Sequence, residues 1–387
     1  MPSIVYFGSA RQCRLDARET LPAKLDLILD RLNLRDRVKD ELVALKMHTG
    51  NNLSYSTIHP VFVRKVVQAI KDGGGKPFVL DVDWDVRGCE ARGYTPEVLG
   101  CPVYPIAGPK DNYYYEYERP YKNMKTWKLA GLVQDATFLV NFAHLKGHPS
   151  CSFGGVIKNL ALGFMVGETR GRMHDVNHYE PYWFADRCPD PVVRQRIIDS
   201  CPHGALVQDK HKADELHLHY EQCNQCMRCM AVAPEGSLVL RPSNFHAFQE
   251  ACAISASISL GTFAPGKAVH LSLATHMTPV CDCFGFTSMQ IMRDLGIFGS
   301  DDIVAVEKAF LDMSMNEPLY EDNIPTSMEV IRNDKHPFTW LHGPMKDPYV
   351  VVNYAESLGL GSTQYELVDV MPVEQVERAP MGYISAH

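Results

Sequence analysis

Three cysteines at intervals of three residues, Cys223, Cys226 and Cys229, are the strongest chemical signal in the 387 residues. Thiolates at that spacing can cap three corners of a cubane iron–sulfur cluster. A site of four thiolates also suits tetrahedral zinc. Cys281-Asp282-Cys283, if extended, puts both sulfurs on one side and the carboxylate on the other. That pair suits a metal, a second cofactor, a redox couple or plain burial. His144, His148, His174 and His178 fall within 35 residues, and neutral imidazole both ligates metals and moves protons near pH 7. Between them runs Gly154-Gly155-Val156-Ile157-Lys158-Asn159. Its glycines allow a backbone to approach a ligand closely, and its lysine can bind an anion, form a covalent adduct or simply face solvent. Lys46 and His48 share a strand face by the same alternation.

The cysteine run repays comparison with the motif C-x-x-C-x-x-C-x-x-x-C-P of two-cluster bacterial ferredoxins, where each fourth cysteine serves the other cluster. Here the fourth position is Ala233, followed by Pro234. Cys201-Pro202 fills the fourth position of a first copy whose other three positions are Pro191, Arg194 and Ile197. One cluster has therefore lost all four ligands, and the other keeps Cys201, Cys223, Cys226 and Cys229. The expectation is one 4Fe–4S cluster in a half-degenerate ferredoxin-like module. The shared middle cysteine fits a cubane better than a zinc ribbon with two separated pairs.

The elements that must position these groups follow from periodicity. Leu21–Asp30 has apolar residues at helical spacing, and Glu41–Lys46 reads as a strand. His59-Pro60 opens a helix over Val61–Lys71, which Gly73-Gly74-Gly75 stops before a strand over Lys76–Asp81. A strand over Phe138–Phe142, a helix over Phe245–Ser259, a strand over Ala268–Leu273, a helix over Ile303–Met313 and a looser tail follow. The alternation predicts an α/β fold, a parallel-sheet, Rossmann-like framework with the module inserted. Its expected parts are an α/β domain over 1–180, the module over 181–240 and a second α/β part with the tail over 241–387. Polar clusters at Lys46–Gly50, Asp81–Asp83, His144–His148 and His276–Cys283 follow predicted strands. Ligand crevices of open α/β sheets lie at such ends, so one shared site is expected there. The aromatic run Tyr113–Tyr117 reads as a packed loop or sheet edge.

Composition bounds the function. Hydrophobic residues make up 45% and charged residues 22%, ordinary values for a globular chain. The net charge of −8 lacks the basic field that nonspecific nucleic-acid binding needs. No apolar stretch reaches the length of a spanning helix. The start, Met1–Gly8, lacks a basic region and a long apolar core, so a cytoplasmic chain is expected. Twelve cysteines are too sparse for a disulfide scaffold.

Taken together, Lys46-Met47-His48-Thr49-Gly50, Lys146-Gly147-His148, Gly154–Asn159, the cluster cysteines, Cys281-Asp282-Cys283 and Ser300–Ala305 resemble the Fe–S centre protein family that carries the domain of unknown function 362. The resemblance covers most of residues 1–315. This chain has Ile303 where the family usually has Pro and Glu307 where it has Asp, and many members keep two clusters. The resemblance implies the fold and an iron–sulfur cofactor but no settled reaction. A more distant likeness is to the lactate racemase family, at the intervals of His148, Lys158, Gly163 and His174. It implies an acid/base role for His148, a cofactor tether at Lys158 and a nickel ligand at His174, although such racemases lack the ferredoxin insert.

The resulting expectation is an anaerobic iron–sulfur oxidoreductase or electron-transfer protein. Electrons would pass from the cluster on Cys201, Cys223, Cys226 and Cys229 to a second site at the carboxyl end of the sheet. There Lys46, His48, His148 and Lys158 would be catalytic, with Gly154, Gly155, Asn159, Cys281 and Cys283 holding a cofactor. His174 would ligate a second metal or a nickel cofactor. The alternatives are a nickel- or other metal-dependent racemase or epimerase with a structural cluster, and a non-catalytic electron carrier or maturation protein. The expected partner is a small anionic substrate or a redox protein, with a homo-oligomer compatible and neither nucleic acid nor membrane involved.

Overall fold

The computed structural model of the protein describes residues 2–372. In chain order the strands are β1 (Ser3–Ser9), β2 (Leu42–Lys46), β3 (Lys76–Asp81), β4 (Val103–Pro105), the hairpin β5 (Tyr114–Tyr121) and β6 (Met124–Ala130), and β7 (Phe138–His144). Two short hairpins follow, β8 (Lys146–His148) with β9 (Ser152–Gly154) and β10 (Leu206–Gln208) with β11 (Leu216–Leu218). β12 (Ala268–Ala274), β13 (Gly296–Ser300) and β14 (Tyr365–Asp369) complete the set. Eight of them form one sheet in the order β14-β1-β13-β12-β7-β2-β3-β4.

The run from β12 to β4 is parallel, as the strand–helix alternation requires. The expectation of a purely parallel sheet needs one correction. β13 runs antiparallel to both β12 and β1. Residues 275–295 contain one 3₁₀ turn, Asp282–Phe284, and no crossover helix, so the chain turns back at the same end of the sheet. The loose tail is also corrected. It holds the helices Pro337–His342 and Tyr349–Ser357, and β14, which lies parallel to β1. Residues 373–387 of the expected C-terminal part lie outside the described residues.

Alternation along the strands divides the core between two faces. Val140 and Phe142 of β7 pack with Leu25 and Ile28 of the helix Leu21–Arg31 and with Val63 and Ile70 of the helix Pro60–Asp72. Leu139 and Ala143 face the helices Val156–Gly163, Pro242–Leu260 and Ile303–Ser314 on the other side. The start of Pro60–Asp72 is set by Pro60 in the first turn and by the His59 side chain, which accepts from Val61 N–H. In the aromatic run, Tyr114 and Tyr117 pack from the β5–β6 hairpin against the core, whereas Tyr113 and Tyr115 are exposed.

A third, smaller core gathers Tyr182, Trp183, Ile197, Leu206, Leu216, Leu218 and Phe245, and Cys201, Cys223 and Cys229 pack against it. The positions that would have been ligands in a first motif copy have structural uses here. Pro191 opens the helix Pro191–Asp199, Ile197 is fully buried, and buried Arg194 donates to the carbonyls of Cys188 and Pro189 at 2.9 and 2.8 Å.

Candidate functional site

β2 and β7 are neighbours, but the chain continues from β2 toward β3 and β4 and from β7 toward β12. Strand order reverses between them, and such switch points open a crevice beyond the carboxyl ends. A cavity of about 740 Å³ lies there.

On the β2–β3 side, the Lys46 ammonium donates to Asp81 Oδ1 at 2.8 Å and to Asn159 Oδ1 at 3.2 Å. Asp81 Oδ2 accepts from Thr49 N–H at 2.7 Å and meets His48 Nδ1 at 3.1 Å. Asp85 lies 3.3 Å from the same nitrogen, and its Oδ1 is buried without a partner. Burial disfavours the His48 imidazolium, yet Asp85 and Asp81 outweigh it and raise His48 to about 10. Burial pushes Asp85 upward, whereas Lys46 and His48 overcome burial at Asp81 and hold it ionised. Ligand atoms of His48, Asp81 and Asp85 lie within 4.8 Å of one another. β2 ends at Lys46, so His48 does not share a strand face with it. Asp81 brings the two together instead.

On the β7 side the anchor is Asp282. Its Oδ2 accepts from Lys146 Nζ at 2.6 Å and lies 3.1 Å from His144 Nδ1, while Oδ1 accepts from Ser56 Oγ at 2.9 Å. Cys281-Asp282-Cys283 is therefore not a strand. Cys281 leads into the 3₁₀ turn Asp282–Phe284, which Asp282 pins from behind. The sulfurs face the cavity, and ligand atoms of His148, Cys281 and Cys283 lie within 4.8 Å of one another. A hydrogen bond from Cys283 holds Cys281 well below the ordinary thiol range, with Lys158 and Lys146 adding to it against burial. The same bond, with burial, pushes Cys283 up. Burial works against the Lys158 ammonium, but the two sulfurs keep it above its ordinary value. Burial and then the Lys158 charge keep His148 neutral. His174 stacks on Phe248 at 4.7 Å, and desolvation in the cleft followed by Lys158 lowers it to about 4.

The glycines around Lys158 make room for side chains. A Cβ on Gly155 would lie 2.2 Å from Glu307 Oε2, which accepts from Val156 N–H at 2.6 Å and caps the lysine's helix. A Cβ on Gly163 would lie 2.0 Å from Lys46 Cε. Glu307 thus acts behind the cleft, and Ile303 is a buried core residue.

Lys46, His48, His148, Gly154, Gly155, Lys158, Asn159, His174, Cys281 and Cys283 all line the cavity. His276 does not: its backbone N–H bonds Asp294, and its ring sits near Tyr55. Cys201, Cys223, Cys226 and Cys229 also lie off the cavity, and the first, second and fourth of them pack against the third core, although their neighbours Tyr220 and Glu221 line the cavity. All four are free thiols, and Ala205 N–H donates to Cys201 Sγ at 3.2 Å. Burial raises Cys229 to about 12, with the charges of Cys223, Cys201 and Cys226 adding to it. Sequence reasoning missed Asp85, Arg170, His217 and His219 and gave no role to Lys146 or Asp282. The acid four residues after Asp81 was the available sign of Asp85. Nothing local marked the others.

A family profile described as a domain of unknown function, DUF362, matches residues 43–312. No curated protein matches the sequence. Among solved structures, the lactate racemase apoprotein from Thermoanaerobacterium thermosaccharolyticum aligns with a TM-score of 0.33 and 10% identity, over 70% of this chain and 50% of that one. This chain thus spans about half that protein's length. By the match over residues 43–312, the chain belongs to the DUF362 family.

Proposed function

We propose that this DUF362 member is a metal-dependent enzyme of the racemase or epimerase kind, moving a proton on a small anionic substrate in the β2–β7 cleft. The observation that carries the reading is the convergence of His148, Cys281 and Cys283 within 4.8 Å, beside Lys158 and Lys146. Thiolate and imidazole donors suit a borderline or soft ion such as zinc or nickel. A metal bound there would polarise an oxygen of the substrate. The chain's own groups do the rest. Lys158 and Arg170 offer charge for a carboxylate or similar anion. His174 is neutral and can accept a proton, and His48 is an imidazolium that can return one. Lys158 suits holding an anion better than carrying a covalent cofactor, because adduct formation needs the neutral amine.

The spacing of the cysteine quartet supports a reading with one 4Fe–4S cluster. All four are free thiols, three of them pack against an apolar core, and Cys201 accepts a backbone N–H. Cys201, Cys223, Cys226 and Cys229 would hold it, and in this reading it is structural, within a ferredoxin-like module over 181–240.

One observation favours the redox reading. Lys346 Nζ donates to Cys223 O at 2.8 Å and to Pro149 O at 2.6 Å, joining the cysteine loop to the residue after His148. An oxidoreductase would use that junction between cluster and cleft.

Metal analysis and electron paramagnetic resonance on anaerobically purified protein, with solvent-deuterium exchange into small carboxylates, separate the readings. About four irons per chain plus a second metal lost in Cys281→Ser/Cys283→Ser, together with the exchange, is the expected result. Exchange and second metal both surviving that double substitution would overturn the proposal. Exchange absent but reductase activity dependent on Cys226 would establish the redox reading.

A further inference from the structure

The β2–β3 side of the cleft holds three donors of its own, gathered at one nitrogen. His48 lies two residues beyond β2, Asp81 closes β3, and Asp85 belongs to the short helix Asp83–Val86. Asp81 Oδ2 stands 3.1 Å and Asp85 Oδ2 3.3 Å from His48 Nδ1. Ligand atoms of all three residues lie within 4.8 Å of one another, and all three residues line the cavity. Asp81 and Asp85 are 1% and 2% exposed.

Hydrogen bonding separates the two carboxylates. Asp81 Oδ1 accepts from Lys46 Nζ at 2.8 Å, and its Oδ2 accepts from Thr49 N–H at 2.7 Å and from Thr49 Oγ1 at 3.1 Å. Among the described residues no hydrogen bond reaches the Asp85 carboxylate. Its Oδ1 is buried without a partner, and its Oδ2 has only the approach to His48. A single N–H at Nδ1 cannot serve two carboxylates fully, and a carboxylate buried without a donor calls for a cation. Spacing agrees. Donors around one ion at about 2.0–2.2 Å stand about 2.8–3.6 Å apart, in octahedral or tetrahedral geometry. The Nδ1 lone pair lies in the ring plane, and Asp81 Oδ2 is placed to hydrogen-bond that nitrogen, so the lone pair is directed at the carboxylates. Metal-bound carboxylates are themselves hydrogen-bonded from behind, which is what Lys46 and Thr49 do at Asp81.

We infer that His48, Asp81 and Asp85 form a second divalent-metal site, separate from the thiolate site of Cys281 and Cys283. Its donors are one imidazole nitrogen and carboxylate oxygens, without sulfur, which suits manganese(II) or iron(II), whereas thiolates select softer ions. The ion ties the ends of β2 and β3 to the helix that follows. It also competes with a proton for Nδ1. In the racemase reading, on which this consequence alone rests, His48 returns a proton as an imidazolium. An ion on Nδ1 takes that acid away, so the site is a brake on the reaction in the cleft.

Manganese(II) titration of anaerobically purified protein tests the site, with free ion counted from its six-line paramagnetic resonance signal. The unaltered chain and Cys281→Ser/Cys283→Ser are each expected to take up about one equivalent, because manganese does not seek thiolates. Asp85→Asn, shown folded by circular dichroism, should bind at least tenfold more weakly. No stoichiometric uptake by the unaltered chain, or equal affinity in Asp85→Asn, would overturn the proposal. A second measurement needs no variant to fold: the electron spin echo of manganese bound to the unaltered chain should be modulated by an imidazole nitrogen. Echoes without nitrogen modulation would also overturn it, as would modulation that persists in folded His48→Gln. Neither readout depends on turnover, so solvent-deuterium exchange can fail while this site stands, and the site can fail while exchange is seen.

Discussion

Lys46 and Asp81 form an ion pair at 2.8 Å with each side chain 1% exposed, and it joins the ends of two adjacent parallel strands beneath the cleft. Removing one partner of a buried pair leaves the other charge stranded. Asp81→Ala is therefore expected to lower stability by about 3–5 kcal/mol in chemical denaturation. It also takes one of two carboxylates from His48, so that group, now held at about 10, should titrate lower by nuclear magnetic resonance. An unchanged His48 titration would contradict the electrostatic account.

Gly163 lies under Lys46, and the 2.0 Å approach leaves no space for a methyl group. Gly163→Ala should displace the lysine from Asp81 and cost about 1–3 kcal/mol. Because the clash is with a side chain, Gly163→Ala/Lys46→Met should lose less than the sum of the single changes. Simple additivity would place the strain elsewhere.

Glu307 is buried, and burial raises it to about 8 despite N–H bonds from Val156 and Ile157. A carboxyl whose folded value lies above its unfolded one holds its proton longer in the folded state. Its contribution is thus intact below the ordinary value of 4.5 and falls as pH rises toward about 8. Glu307→Gln keeps an acceptor for Val156 without the titration. The variant should gain stability relative to the parent between those limits, read from denaturant midpoints across pH. Parallel profiles would refute the assignment.

Lys346 bridges the Cys223 and Pro149 carbonyls from a buried position. Lys346→Met strips both of their donor and is expected to cost about 1–3 kcal/mol. Amide exchange over residues 221–229 should accelerate while that over β7 stays protected. Uniform acceleration would mean that the lysine serves global stability rather than this junction.

Periodicity made the α/β framework legible, since β2, β3, β7 and β12 are short apolar runs separated by patterned helices. The gathering of Lys46, His148, Lys158 and Cys281 could be anticipated because strand ends in such sheets share one edge. Other features were hidden for physical reasons. β13 contains two glycines and no alternation, and its direction depends on what the preceding loop lacks. The Cys281–Cys283 turn is set by Asp282 bonding to Lys146 and Ser56, contacts 136 and 226 residues away in sequence. β14 follows a stretch rich in Pro, Asp and Glu that reads as loop. His217 and His219 join the cleft only because the third core carries its hairpin there.

The sheet's order also governs how the chain emerges from the ribosome. β1 is made first, yet its two neighbours are β13 and β14, which begin at Gly296 and Tyr365. At 5–20 residues per second the wait for β13 is roughly 15–60 s. Throughout it, both edges of β1 stay unpaired and its apolar face has no strand beside it. β1, which precedes the other strands, is thus among the last to find its partners.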